Sequence, residues 1–293
     1  MSANLYALGA VALWASLSTL GILLKHVPPF LLTGLALMIG SLLAWPAVLR
    51  DHQQWRVSLA ALGLGIFTLF GFHFFLFIAL RLASAVEVNL VNYLWPLLIV
   101  VLAPLYLPQT PWRARYVIAA LVGFAGAAMA IWSASTGAAT PSSAAAALAP
   151  SGNAWGYLLA LCSALIWANY SLQTKRLAMK GRGFPTAAIG LFGLVAGALS
   201  LVCHAALEPA TPLSASDGGL ILAMGLGPLG AAFYWWDKAL KLGDTRHIGL
   251  LSYLTPLAST VLLMLVTGRS LTWTIALAAA LIIGAAVAGT RPP

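Results

Sequence analysis
Apolar residues run along this chain in blocks of roughly twenty, separated by short polar stretches. Ten such blocks can be laid out, at residues 4–24, 30–49, 58–80, 84–105, 115–135, 154–174, 185–205, 218–238, 246–266 and 272–290. An α-helix rises about 1.5 Å per residue, so each block is long enough to cross the hydrocarbon core of a bilayer. Barrel strands would show shorter segments of alternating character, and a lipid-facing backbone must satisfy its own hydrogen bonds. The pattern predicts an all-α integral membrane protein of ten transmembrane helices. No basic residue precedes the first block, which is longer than the apolar core of a cleaved leader, so that helix is expected to be retained.

The blocks repeat. Residues 79–96 (ALRLASAVEVNLVNYLWP) return as 239–256 (ALKLGDTRHIGLLSYLTP), with seven of eighteen positions identical at an offset of 160. Ala12-Leu13-Trp14-Ala15-Ser16 is echoed by Leu165-Ile166-Trp167-Ala168-Asn169 at an offset of 153. Two anchors in the same order imply a duplicated unit. The expected division is a first repeat at 1–135, a linker at 136–152 and a second repeat at 153–293. Each repeat holds five blocks, and an odd number makes the second enter the membrane upside down. Inverted-topology repeats are characteristic of secondary transporters.

Composition agrees with this solvent: 61% of residues are hydrophobic, 7% are charged and the mean hydropathy is +0.95. The net charge of +9 has a topological reading rather than a nucleic-acid one. With the N-terminus in the cytoplasm, twelve of the fifteen Lys and Arg residues fall on the inner side, leaving Lys25, Arg81 and Arg269 outside. Both termini are then cytoplasmic, as in a multi-pass protein of a bacterial inner membrane. The Ala/Ser/Pro-rich 136–152 stretch reads as a flexible outer linker. Cys162 and Cys203 both lie inside apolar blocks and read as small packing residues.

Charged residues inside the blocks are few. Asp237 and Lys241 are four apart and can pair at a helix end, and Glu87 either pairs with Arg81 or faces water. Without deep clusters of cations, a pathway favours neutral or zwitterionic solutes. Asn89, Asn92, Tyr93 and Pro96 follow i, i+3, i+4, i+7 spacing and so share one face of a helix, matched in the second copy by Gly249, Ser252, Tyr253 and Pro256. Pro96 and Pro256 are hinge candidates because proline removes a donor and bends a helix; static kinks are the alternative. Trp14, Trp95 and Trp167 lie near mid-block, where an indole either lines a solute path or packs the core. Trp45, Trp55, Trp112, Trp132 and Trp273 fall near block ends, as an interfacial belt requires. His73, in GFHFFLF, is the histidine well inside a block, where it either titrates or is satisfied by a neighbouring carbonyl; the matching stretch is Phe233–Trp236. Gly123/Gly126, Gly193/Gly197 and Gly225/Gly230 read as close-packing signals. No GxxxxGK[ST], CxxC, HExxH or nucleophile-elbow pattern occurs, and the carboxylates lie apart. No ATP use, catalytic residue, metal or cofactor is expected.

In this arrangement the chain resembles the drug/metabolite transporter superfamily, in its branch with two tandem EamA-type repeats of five helices. The resemblance covers essentially the whole chain. It rests on the ten blocks, the central linker, the Trp-containing first helix of each half and the Ala-Leu-Arg/Lys-Leu turn before Tyr-Leu-Xaa-Pro. More narrowly, Trp14, His73 in its aromatic run, Asn92-Tyr93-Leu94-Trp95-Pro96 and Trp167 resemble the bacterial aromatic amino acid exporters of that superfamily. The resemblance implies export of aromatic or bulky neutral amino acids from the cytoplasm by alternating access. It places His73, Tyr93, Trp95 and Trp167 around a central cavity, with the fifth and tenth helices peripheral. Multidrug or organic-cation export, or export of another small metabolite, is the alternative. The implied partners are a small-molecule substrate and the lipid bilayer, with no nucleic acid and no obligate protein. One departure is Thr255, which stands in the second copy where Trp95 stands in the first.

Overall fold
A computed structural model describes residues 2–108, 110–136, 153–267 and 272–290. All regular structure among the described residues is helical, and helices occupy each predicted block. Seven are long and apolar enough to cross a membrane: Ala3–Leu23, Pro29–Arg50, Leu59–Leu82, Ala85–Tyr106, Ala114–Ser133, Ala188–Leu207 and Ala215–Leu242. The other blocks hold Ala154–Met179, the pair Thr245–Leu251 and Leu254–Thr267, and Trp273–Thr290. The chain is a multi-pass membrane protein. Apart from Thr136, the 136–152 linker lies outside the described residues.

Local structure recurs at the offset seen in the sequence. A π-type turn interrupts the third helix at Phe67–Gly71, and another occupies Gly227–Ala231 at the offset of 160. Each is followed by an eleven-residue helix, Phe72–Leu82 and Ala232–Leu242. The next helix then breaks in both copies: Ala85–Asn92 gives way to Trp95–Tyr106, and Thr245–Leu251 to Leu254–Thr267. Both breaks fall just before the prolines. The backbone tightens there to three-residue spacing, with Leu94 N–H donating to Val91 O (3.1 Å) and Thr255 N–H to Ser252 O (3.0 Å). Proline at 96 or 256 has no N–H to continue the ladder, so the preceding turn closes on itself. Tyr93 N–H still donates to Asn89 O (2.8 Å), so Asn89, Asn92 and Tyr93 keep helical spacing up to the break, and Pro96 lies beyond it.

The chain forms two compact units, residues 1–74 with 174–242 and residues 75–173 with 243–293, so each draws on both halves of the sequence. In the first unit, glycines bring backbones together. A Cβ on Gly34 would lie 2.7 Å from Leu201, one on Gly197 2.8 Å from Gly34 O, and one on Gly40 2.8 and 2.9 Å from Leu229 O and Gly225 O. Small residues at these crossings allow the dispersion contacts that hold helices together where lipid is as apolar as the side chains. The Pro29–Ser41 helix begins with two prolines, and its first free donors, Phe30 and Leu31 N–H, are accepted by the Glu208 carboxylate at 3.0 and 3.2 Å. That carboxylate also meets the positive end of the helix dipole and His204 Nδ1 at 3.0 Å. The second unit packs Ala114–Thr136 against Trp273–Thr290 through Gly126, whose Cβ would fall 2.8 Å from Ile282.

Candidate functional site
Each unit carries one aromatic cluster centred on a tryptophan from the first helix of a repeat. In the first unit, Trp14 stands one residue from the end of Ala3–Ala15. The helix pauses there because Ser16 turns its hydroxyl back onto Leu13 O (2.7 Å), competing with the backbone ladder. The indole Nε1–H of Trp14 donates to Pro228 O (3.1 Å), inside the second π-type turn. Its ring meets Trp236 at 5.3 Å between centroids and Phe233 edge-on at 6.1 Å. Phe233 in turn stands edge-on to His73 at 6.5 Å, the two being equivalent positions of the repeat. Edge-to-face spacing in this range is the favourable geometry for aromatic quadrupoles.

His73 is buried, and its Nδ1 lies 2.6 Å from Leu69 O. A carbonyl only accepts, so Nδ1 carries a proton in this contact. Of the two expectations for His73, the carbonyl contact is present.

In the second unit, Trp95 opens the Trp95–Tyr106 helix directly after the break, and Trp167 stands mid-way along Ala154–Met179. Their rings meet edge-on at 6.3 Å, and Trp167 also packs on Tyr170 at 5.8 Å. Beside them Asn92 is buried, its Oδ1 accepting from Ser163 Oγ at 3.2 Å. Asn169 Oδ1 accepts from Tyr106 OH at 2.9 Å. Trp14, Trp95 and Trp167 are all buried, with 8, 6 and 4% of their surfaces exposed.

The remaining candidates are distributed differently. Asn89 and Tyr93 are half-buried, at the end of one helix and in the break that follows it. Tyr253 is fully enclosed in the core of the second unit with Tyr116, Leu250 and Ile282, and Gly123 is bare so that its ring fits. Tyr253 packs in this conformation against the helices that form that core.

Asp237 Oδ2 accepts from Lys241 Nζ (2.7 Å) and Thr186 Oγ1 (2.6 Å), while Lys241 also donates to Phe184 O (2.7 Å). The expected helix-end pair therefore also fastens the stretch before the Ala188–Leu207 helix. Glu87 faces water, one of the two settings expected for it. It is exposed, and its Oε2 accepts from Ser84 Oγ (2.7 Å) and Tyr157 OH (2.6 Å) in the first helical turn. Ser84 is the N-cap of that helix, which places its hydroxyl within reach of the carboxylate.

Trp236, Tyr170 and the two π-type turns were not singled out by the sequence. An FYWW run at 233–236 is the one signal for Trp236, and no periodicity marks an extra residue in a helical turn. π-type turns recur at functional sites because they re-aim the side chains around them.

The pattern of the EamA-like transporter family matches residues 1–132 and 154–289. The aromatic amino acid exporter YddG of Ancylobacter novellus is 38% identical over 296 residues, spanning 99% of this chain and 97% of that protein. A solved structure described as a crystal structure of a protein superposes with a TM-score of 0.85 at 37% identity, covering 98% of this chain and 96% of its own. The family is one of carriers rather than enzymes. With its helices, its repeated turns and nearly its whole length accounted for in this way, the chain belongs to the EamA-like transporter family.

Proposed function
We propose that this transporter exports aromatic or bulky neutral amino acids from the cytoplasm by alternating access through a central cavity. The observation that carries this reading is the repeated placement of the Trp14 and Trp167 clusters, one in each compact unit. An aromatic side chain stacks on such surfaces at about 0.5–1.5 kcal/mol per ring pair, and an ammonium group is attracted to their faces. Asn92 and Asn89 supply amide groups beside the tryptophans for the polar end of the solute. The name of the 38% identical relative supports the same substrate class.

In this proposal the chain has ten helices in two inverted repeats, with both termini cytoplasmic in a bacterial inner membrane. The breaks before Pro96 and Pro256 act as hinges, since a missing ladder bond lowers the cost of bending. The buried Arg246 and the part-buried Lys241 are each paired with a carboxylate. A zwitterion, carrying its own counter-charge, suits such a path better than a polyanion. Organic-cation export needs an available carboxylate, and Glu87 is held by Ser84 and Tyr157.

The test is counterflow of labelled tryptophan, phenylalanine, threonine and lysine into liposomes containing the purified protein, with and without a pH gradient. Saturable exchange of tryptophan and phenylalanine is expected, and the gradient reads proton coupling. Exchange of none of these amino acids in well-sealed vesicles would refute the substrate class.

A further inference from the structure
The second unit carries a cationic depression that lies apart from the Trp95–Trp167 pair in its lining residues. It is shallow and lies where the Trp95–Tyr106 helix ends and the Ala114–Thr136 helix begins, against the start of Thr245–Leu251. Arg246, Arg113, Tyr116 and Trp112 line it. Arg246 is buried and held rigidly: Nε and Nη2 donate to the two oxygens of Asp244 (3.3 and 2.8 Å), and Nη1 donates to Pro111 O (3.3 Å). Its guanidinium lies 4.0 Å over the Tyr116 ring. Arg115 approaches the same ring at 4.8 Å and donates through Nη2 to Tyr116 OH (3.1 Å).

Two guanidinium groups thus converge on one ring while a third, on exposed Arg113, borders the same hollow; Asp244 pairs with Arg246. A guanidinium has five donor hydrogens, and the three bonds of Arg246 leave one on each terminal nitrogen. The Tyr116 hydroxyl, having accepted from Arg115, has its own hydrogen to donate. Fixed, planar donors beside an excess of positive charge match a group with several acceptor oxygens and a negative charge, which is the chemistry of a phosphate.

The surroundings point to where that phosphate comes from. Trp112 is 56% exposed beside the arginines, as an indole at headgroup level would be. Next to the hollow, Ile118 and Leu121 stand exposed three residues apart on one helix, and Leu105 is exposed on the other. A free anion has no use for that apolar strip, whereas acyl chains cover it. We propose that this depression binds the phosphate of an anionic phospholipid, with Arg113 and Arg246 on the headgroup and Ile118 and Leu121 along the chains. Basic pockets at the ends of membrane helices recognise headgroups in this way.

Native mass spectrometry of the full-length protein, released from micelles holding equal phosphatidylglycerol and phosphatidylcholine, tests the assignment. Retention of phosphatidylglycerol over phosphatidylcholine is expected, lowered about fivefold by Arg113→Gln. Tyr116→Phe, which keeps the ring and removes the hydroxyl, is expected to lower it further, while Arg81→Gln leaves it unchanged. Equal retention of the two lipids, or an Arg113→Gln protein that behaves as wild type, would overturn the proposal. Displacement of the bound lipid by excess inorganic phosphate would reassign the hollow to a soluble anion and overturn it equally.

Discussion

The indole of Trp14 donates to the carbonyl of Pro228, 214 residues away, at 3.1 Å in a buried setting. That bond satisfies a carbonyl inside a π-type turn, where the regular ladder has been interrupted. Trp14→Phe keeps the ring and removes the donor, leaving the carbonyl unanswered, and should cost about 1–3 kcal/mol. Trp14→Ala also opens a cavity and should cost about 3–5 kcal/mol. Thermal unfolding in one detergent ranks the two; equal stability of Trp14→Phe and wild type would remove the bond from the account.

Glu208 caps a helix that its own segment does not belong to. Glu208→Gln keeps the shape of the cap and loses its charge, so the Pro29–Ser41 helix should lose the dipole interaction, on the order of 1 kcal/mol. Glu208→Ala loses the hydrogen bonds to Phe30 and Leu31 as well and should be less stable than Glu208→Gln. Thermal melts of the two variants in parallel check the order; identical melts would mean the cap contributes nothing.

Two glycines of similar sequence character should respond oppositely to alanine. A Cβ at Gly40 meets two carbonyl oxygens and the Gly230 backbone within 2.9 Å, none of which is a movable side-chain tip. Gly40→Ala should therefore prevent the helices from closing and abolish well-folded protein. Gly63 has nothing within 4 Å, so Gly63→Ala should be neutral or stabilise by up to ~1 kcal/mol through helix propensity. Size-exclusion profiles and melting temperatures of the two variants read this directly, and a stable Gly40→Ala protein contradicts the packing.

Asp244 caps the Thr245–Leu251 helix and binds Arg246. Burial alone would raise its carboxyl, but the hydrogen bonds and charge of Arg246 outweigh that and hold it below the ordinary carboxylate range. A lowered value means the stabilisation is complete above the unfolded-state pKa, about 3.9, and fades only as pH falls through the lower folded value. Asp244→Ala should cost about 1–2 kcal/mol, with the side chain's partial exposure limiting the ion-pair share. The stability gap to wild type should be as wide at pH ~5 as at pH ~7. A gap that narrows between those two values would show that the pair does not hold the carboxylate ionised.

Much of this architecture was legible because membrane helices obey local rules. Length and hydropathy mark the apolar blocks, and the Tyr-Leu-Xaa-Pro repeat marks where helices break in both copies. The Asp237–Lys241 pair follows from spacing on one helix. What the sequence hides is contact between distant segments. Nothing local ties Trp14 to Pro228, or Glu208 to a helix that begins at Pro29. Tyr253 illustrates the converse: its repeat partner Tyr93 stands half-buried in a break, yet Gly123 gives Tyr253 a seat in the core. Identical letters at equivalent positions acquire different surroundings because the packing helices differ. The aromatic residues were legible as a set, while their sorting into a Trp14 cluster and a Trp167 cluster required coordinates.

Recognition of an aromatic solute by the indoles is the central claim, and the ratio of tryptophan to threonine counterflow measures it most directly. Proteoliposomes of wild type, Trp167→Phe and Trp167→Leu would be compared after melts confirm folding. Trp167→Phe should keep most of the preference, and Trp167→Leu should lose about tenfold, the worth of one aromatic contact near 1.4 kcal/mol. An unchanged ratio in folded Trp167→Leu protein would contradict recognition through Trp167.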